Sequence, residues 1–328
     1  MVPFAIAGIQ MKVSATASNL AGMTQRLDVL MHRYPWVQMV VFSELCVLGP
    51  LRGNAEPLPG PAERAFCEMA ARHGIWLVPM FELAGGRVYN TAPVIDPAGQ
   101  VVGRYRKMFP FQPYEQAIEP GHEFLVFDVP HVGRFGVSIC YDMWFPETSR
   151  TLAAMGAEVI LHPTLTDTID RDVELSIVRA TAAMNQCYVF DINGLDDGGY
   201  GRSSIVDPSG HVLYSASAGE EMIPVEIDFE RVRRERPRYP GPRPAAQELP
   251  RPPGRVRRVP PRGLRQRLPR VTGPARAAAP RLARRAGTAT SRVRRGGDGR
   301  LSGASGVQIG RLIGRARGMQ QRSERGTT

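Results

Sequence analysis

The chain changes character at Pro242, and that break limits what each side of it can become. Residues 242–328 hold 22 Arg, no Lys, three acids (Glu248, Asp298, Glu324) and no aromatic side chain. The apolar residues of this stretch are scattered singly among Arg, Pro, Gly and Ala, and gather only at 301–314 (LSGASGVQIGRLIG). A segment of this kind cannot bury enough surface to offset the entropy of ordering it, and it is expected to be disordered. The tail carries +19 of charge, so the net +11 of the 328-residue chain leaves −8 for residues 1–241. Any argument from charge for nucleic-acid binding therefore applies to the tail alone, and such a partner is not expected. A solvated arm, or read-through of a GC-rich gene in a shifted frame, accounts for a run without Lys or aromatics better than a binding module does.

Residues 1–241 remain as the folding domain. Short apolar runs there alternate with amphipathic stretches. Strands are expected at 3–10, 37–44, 75–83, 124–129, 134–140, 157–164, 187–193 and 222–229, and helices at 17–33, 61–73, 146–155 and 172–186. Two hairpins turn on the same D-P-x-G core, Asp96–Gly99 and Asp207–Gly210, where Asp-Pro and Gly supply the turn chemistry. Alternating strands and helices with interspersed hairpins predict an α/β layered fold, sheets covered by helices, and the repeated turn hints at two pseudo-equivalent halves. No apolar run approaches the roughly 18 residues of a membrane span. The N-terminus reads as a strand, not a signal peptide. Four cysteines (Cys46, Cys67, Cys140, Cys187) stand far apart with no C-x-x-C pair. Neither a metal site nor a disulfide framework is expected, and a reducing cytoplasm fits.

Three expected strand ends carry reactive side chains: Glu44, Lys107 and Cys140. Lys107 is one of two lysines, with Lys12, in a chain that otherwise uses Arg. A compact ammonium in place of a guanidinium fork suggests a specific need. Cys140 closes an apolar run in RFGVSICYDMWFPE (134–147), with Pro146 and Glu147 opening a helix. At such an elbow, backbone N–H groups and the helix dipole favour a thiolate. In open sheets, sites gather at one rim of strand ends. Together the trio permits acyl transfer: Glu44 as general base on the Cys140 thiol, with Lys107 and a backbone N–H holding the oxyanion. Each residue alone is better explained as a small buried side chain or a surface charge.

The order of these residues and their flanks resembles the nitrilase, or carbon–nitrogen hydrolase, superfamily. The matching pieces are AGIQM (7–11), FSEL (42–45), GRYRKMFPF (103–111), GVSICYDMWFPE (136–147), GAEVILHPT (156–164), VRATAAMNQCYVFDIN (178–193) and GGYGRSSIVDPSG (198–210). The resemblance covers residues 1–241. It implies a four-layer αββα sandwich of two mixed sheets flanked by helices, with Cys140 as nucleophile, Glu44 as base, Lys107 as oxyanion stabiliser and no cofactor. KMFPFQPYE is similar to the amidase stretch that ends in a second, pocket-shaping Glu, which selects Glu115 over Glu119. Tyr114, Tyr141, Trp144 and His162 are candidates to line the substrate pocket.

Some features depart from the family pattern. Ser43 stands where Pro usually precedes the first Glu, and Gly49 is followed by Pro50. The tail replaces the segment that often packs across a dimer partner. The expected activity is hydrolysis of a non-peptide C–N bond in a small amide, by a homo-oligomer formed through the hydrolase domain. Cys140-Tyr141-Asp142 looks more like the amidase and carbamoylase branches than the Cys-Trp-Glu of nitrilases. A nitrilase, a catalytically silent scaffold of the same fold and a nucleic-acid-associated protein acting through its tail are the rivals.

Overall fold

The apolar runs of the body become strands, and their period-2 alternation sorts two cores. In the computed structural model, residues 3–50, 55–78, 81–84, 87–112 and 114–238 are described, all within one unit spanning residues 1–263. The Arg-rich tail, expected to be disordered, lies outside them. Along the first half run β1 (Pro3–Gln10), β2 (Lys12–Val13), α1 (Leu20–Arg33), β3 (Met39–Phe42), β4 (Glu56–Pro57), α2 (Pro61–His73), β5 (Trp76–Val78), β6 (Phe81–Ala84), β7 (Val88–Ile95) and β8 (Val101–Arg106). The second half adds β9 (Leu125–Val129), β10 (Gly133–Val137), a 3₁₀ turn (Cys140–Trp144), α3 (Pro146–Ala154), β11 (Val159–Thr164), α4 (Arg171–Asn185), β12 (Tyr188–Asn193), β13 (Leu195–Asp196), β14 (Ser204–Val206), β15 (Val212–Ser215), β16 (Glu221–Asp228) and α5 (Phe229–Arg238).

The first sheet is eight-stranded, in the order β16-β1-β3-β5-β7-β6-β4 with β8 on β7; the second is six-stranded, β15-β14-β12-β11-β10-β9. Each mixes parallel and antiparallel pairs: β1, β3 and β5 run parallel, as do β10, β11 and β12. The two sheets face one another with helices outside, the expected αββα sandwich. Along β11, Val159 and Leu161 join the core between the sheets, while Ile160 packs outward with Leu152, Val178 and Ala182 of α3 and α4. Tyr188, Phe190 and Ile192 of β12 repeat the inward face, and Val189 the outward one. On the other side α1 turns Met23, Leu27 and Leu30 inward, spaced for one helical stripe. Between the sheets, Phe135 centres an aromatic cluster with ring centroids 5.6 Å from Phe4, 5.3 Å from Phe127 and 5.4 Å from Phe229. The sheets approach so closely at Gly8 that a Cβ there would stand 2.3 Å from Ile192 Cδ1.

The two D-P-x-G turns are built alike. Asp96 Oδ1 accepts from the N–H groups of Ala98 and Gln100 (3.0 and 2.8 Å), and Asp207 Oδ1 from those of Ser209 and His211 (2.8 and 3.1 Å). Gly99 and Gly210 close them at φ 76° and 82°, a region that glycine enters without steric cost. One hairpin sits in each sheet, β7–β8 and β14–β15.

Several boundaries differ from expectation. The strand expected at 37–44 stops at Phe42, because the chain turns through Glu44 and a left-handed Leu45 (φ 51°). The run at 134–140 leaves the sheet at Val137, and Cys140 opens the 3₁₀ turn at φ 45°. The expected strand 75–83 is two strands, β5 and β6.

Candidate active site

Glu44, Lys107 and Cys140 sit just beyond the C-terminal ends of β3, β8 and β10, and all three border one cavity of about 650 Å³. Both sheets contribute. The Glu44 N–H donates to Thr164 O (3.3 Å) at the end of β11, tying the turn after β3 to the opposite sheet. The Lys107 N–H donates to Asn90 O (2.9 Å), which fixes the end of β8 against β7. The Cys140 Sγ lies 3.5 Å from Leu165 O.

Lys107 Nζ donates to Glu44 Oε1 (2.8 Å) and Glu115 Oε2 (2.7 Å). Asn90 Nδ2 donates to the same two carboxylates, at 2.7 Å to Glu44 Oε1 and 3.1 Å to Glu115 Oε1. The Phe111 N–H completes the Glu115 shell at 2.6 Å. The predicted second glutamate is thus held in the cluster, whereas Glu119 pairs with Arg87 at 3.6 Å away from it. Glu44 Oε2 is buried and has no hydrogen-bond partner among the described residues. That leaves one carboxylate oxygen able to take a proton.

Burial sets the electrostatics. It raises the Glu44 carboxyl, against the pull of Lys107 and with the push of Glu115. For Lys107 burial works against the ammonium, but Glu44, Cys140 and Glu115 outweigh it and hold the amine well above its ordinary value. The Cys140 thiol is pushed well up, first by burial and then by Glu44, with Lys107 opposing. The helix opens at Pro146 as expected, beyond the 3₁₀ turn, but burial leaves the thiol raised where the dipole was expected to favour a thiolate. Burial thus favours the neutral thiol at Cys140 and raises the proton affinity of the neighbouring Glu44, which suits it to take the thiol proton when a carbonyl is attacked.

Two positions that hold the cluster together went unread. Asp142 is fully buried and accepts from four donors: Tyr105 Oη (2.7 Å) and Ile139 N (2.9 Å) on Oδ2, Met108 N (3.1 Å) and Phe109 N (2.9 Å) on Oδ1. It stitches the segment after Lys107 to the turn that holds Cys140. Burial nevertheless raises its pKa to about 6. Asn90, the other, interrupts an apolar strand, and that polar residue in a buried run was the available signal.

Tyr141 and Trp144 form one cavity wall with Phe111, and Tyr114 stands exposed at the rim. Ring centroids step 5.3 Å from Tyr114 to Phe111 and 4.8 Å from Phe111 to Tyr141. His162 does not line the cavity. The pleat of β11 turns it to the outer face with Ile160, where Nδ1 meets Ser138 Oγ at 2.8 Å and Nε2 stands 3.9 Å from Asp191. Burial pushes its pKa down to about 3, so it is a neutral brace behind the strand ends. The lining also takes in the loop after β11, with Leu165, Thr166, Asp167, Thr168 and Asp170, which sequence reasoning did not single out.

A family model described as carbon–nitrogen hydrolase matches residues 5–237. Omega-amidase NIT2 of Homo sapiens is 26% identical over 254 residues, spanning 71% of this chain and 91% of that protein. Omega-amidase NIT2-B of Xenopus laevis is 30% identical over 193 residues, 54% of this chain and 70% of that protein. Among solved structures, Saccharomyces cerevisiae Nit3, a member of branch 10 of the nitrilase superfamily, aligns with TM-score 0.66 at 26% identity. That alignment spans 73% of this chain and 94% of the other.

Proposed function

The chain belongs to the carbon–nitrogen hydrolase family of the nitrilase superfamily, enzymes of carbon–nitrogen bonds other than peptide bonds, and within it we propose an amidase that works through a Cys140 thioester. The observation that carries this is the meeting of Cys140, Glu44, Lys107 and Glu115 on one cavity. As Sγ attacks the amide carbon, Glu44 takes the thiol proton on its free oxygen. The carbonyl π electrons move to oxygen, where Lys107 and a backbone N–H of the turn after Cys140 stabilise the charge. Glu44 then passes the proton to the leaving nitrogen, the C–N bond breaks, and ammonia or an amine departs. Water, deprotonated by Glu44, adds to the thioester. The thiolate leaves and is reprotonated, and the carboxylic acid is released. Glu115 and Asn90 hold Lys107 and Glu44 in register throughout. One oxyanion donor is worth about 3–4 kcal/mol, so Lys107 has a large share of the rate to supply.

Product assay across primary amides, carbamoyl amino acids and nitriles tests the reading, with Cys140→Ala as control. Amide turnover with an acyl adduct on Cys140, seen by mass spectrometry, is the expected result. Turnover that survives Cys140→Ala, or none by the wild type, would sink it. On the same reading the hydrolase domain self-associates, which light scattering at assay concentration checks.

A further inference from the structure

We infer that the amide cleaved here carries a positive charge, an ammonium or similar cation, on the side remote from the scissile bond. This rests on the amidase reading and names its substrate class. Of the described residues lining the cavity, Lys107 is the sole cation, and Glu44 and Glu115 already occupy it at 2.8 and 2.7 Å. Four further carboxylates line the same space: Asp167, Asp170, Glu174 and Asp197. Glu174 is engaged by Trp144 Nε1 (3.3 Å), Thr166 Oγ1 (2.6 Å) and Arg171 (3.4 Å), an Arg that sits closer to Asp191 at 2.5 Å. Asp170 accepts from Thr168 Oγ1 (2.8 Å) and Asp197 from the Ala15 N–H (2.8 Å). Neither bond involves a charge, so Asp167, Asp170 and Asp197 keep their negative field.

The aromatic part of the lining points the same way. Phe111, Tyr114, Tyr141 and Trp144 present a run of aromatic side chains. Aromatic faces with nearby carboxylates and no unengaged cation recognise ammonium groups through ring quadrupole and Coulomb attraction together. A substrate carboxylate would meet like charge and no unpaired cation among the described lining residues. The volume also exceeds what a two- or three-carbon amide fills, which leaves room for a chain bearing the cation.

The test uses three primary amides of matched length: 4-aminobutanamide (cation), pentanamide (neutral) and succinamate (anion). Binding is measured on the full-length Cys140→Ala protein by calorimetry, and turnover on the wild type. The cation is expected to bind about tenfold tighter than the neutral amide, and the anion weakest. The preference should shrink in about 0.5 M salt, where screening is short-ranged. Asp167→Asn, Asp170→Asn and Asp197→Asn combined should bring the cation-to-neutral ratio toward one. Equal or tighter binding of succinamate, no binding of the cation, or a ratio untouched by the three substitutions overturns the inference. The binding arm decides this whatever the wild type turns over, so loss of the amidase reading shows separately as absent hydrolysis.

Discussion

The phenol of Tyr105 donates to Asp142 across 2.7 Å, and both side chains are fully buried. Tyr105 lies two residues before Lys107 and Asp142 two after Cys140, so this bond ties the segment bearing the amine to the turn bearing the thiol. Tyr105→Phe removes one of four donors and should cost about 1 kcal/mol in urea unfolding, with a modest fall in kcat. Asp142→Asn sets an amide N–H₂ against groups that themselves donate. It should cost about 1–3 kcal/mol and lower kcat far more than it raises KM. An Asp142→Asn enzyme with wild-type kcat would contradict the positioning role.

Lys107→Met tests the ammonium. The substitution leaves Glu44 and Glu115 buried without their shared cation, a loss of about 3–5 kcal/mol by the measure of broken buried pairs. It also removes an oxyanion donor, a factor of about a hundred or more in kcat. Lys107→Met/Glu115→Gln should recover part of the stability and none of the rate. Thermal melts and steady-state kinetics on both variants separate the two effects.

The raised thiol of Cys140 makes an opposite-sign prediction for Glu44→Gln. Burial and Glu44 both push the thiol up, while Lys107 pulls it down. Without the carboxylate, the pH midpoint for alkylation by iodoacetamide should move lower. Amide hydrolysis should fall by about a hundredfold or more, because its base is gone. A midpoint that stays or rises would show that Glu44 does not act on the sulfur.

His162 links stability to acid. Its folded pKa is pushed down to about 3 from an ordinary 6.5, so below pH 6.5 the unfolded chain binds a proton that the folded chain refuses. Stability is therefore lost as pH falls from 6.5 toward 3. Between pH 7 and 5 the loss from this residue should be about 2 kcal/mol. His162→Asn, which keeps a partner for Ser138, should be less acid-sensitive by that amount in urea titrations at the two pH values. Equal slopes would assign the acid loss elsewhere.

Gly8→Ala probes the contact between the sheets. Its Cβ would meet Ile192 Cδ1 at 2.3 Å, an overpacking expected to cost about 1–3 kcal/mol. Ile192→Val removes that methyl group, so the double variant should lose less than the two single costs combined. Simple additivity would mean that the sheets part freely at this point.

The trio of Glu44, Lys107 and Cys140 was legible because each member follows an expected strand, and strand ends in a layered sheet can converge on one rim. The two hairpins were legible because an Asp side chain and a Gly at fixed spacing make the same turn in both. What escaped depends on partners distant in sequence. Asp142 gains its meaning only when the segment after β8 comes alongside, and Asn90 only when two glutamates from separate loops meet it. His162 was misassigned to the pocket although counting outward from Val159 and Leu161 puts it on the helix-facing side. The turn at Cys140 was read as strand because its left-handed backbone leaves no mark in residue type. Helix α5 was missed because Phe229 and Val232 are its buried anchors in an otherwise charged stretch.

The body's opening strand lies hydrogen-bonded to its closing one, Pro3 to Gln10 against Asp228 to Glu221. During synthesis the partner of β1 therefore emerges from the ribosome after every residue of the reactive cluster. The sulfhydryl, the carboxylates and the amine are all made while the sheet bearing Glu44 and Lys107 still lacks that edge. In chain order, the pairing of β1 with β16 is the last that the first sheet gains.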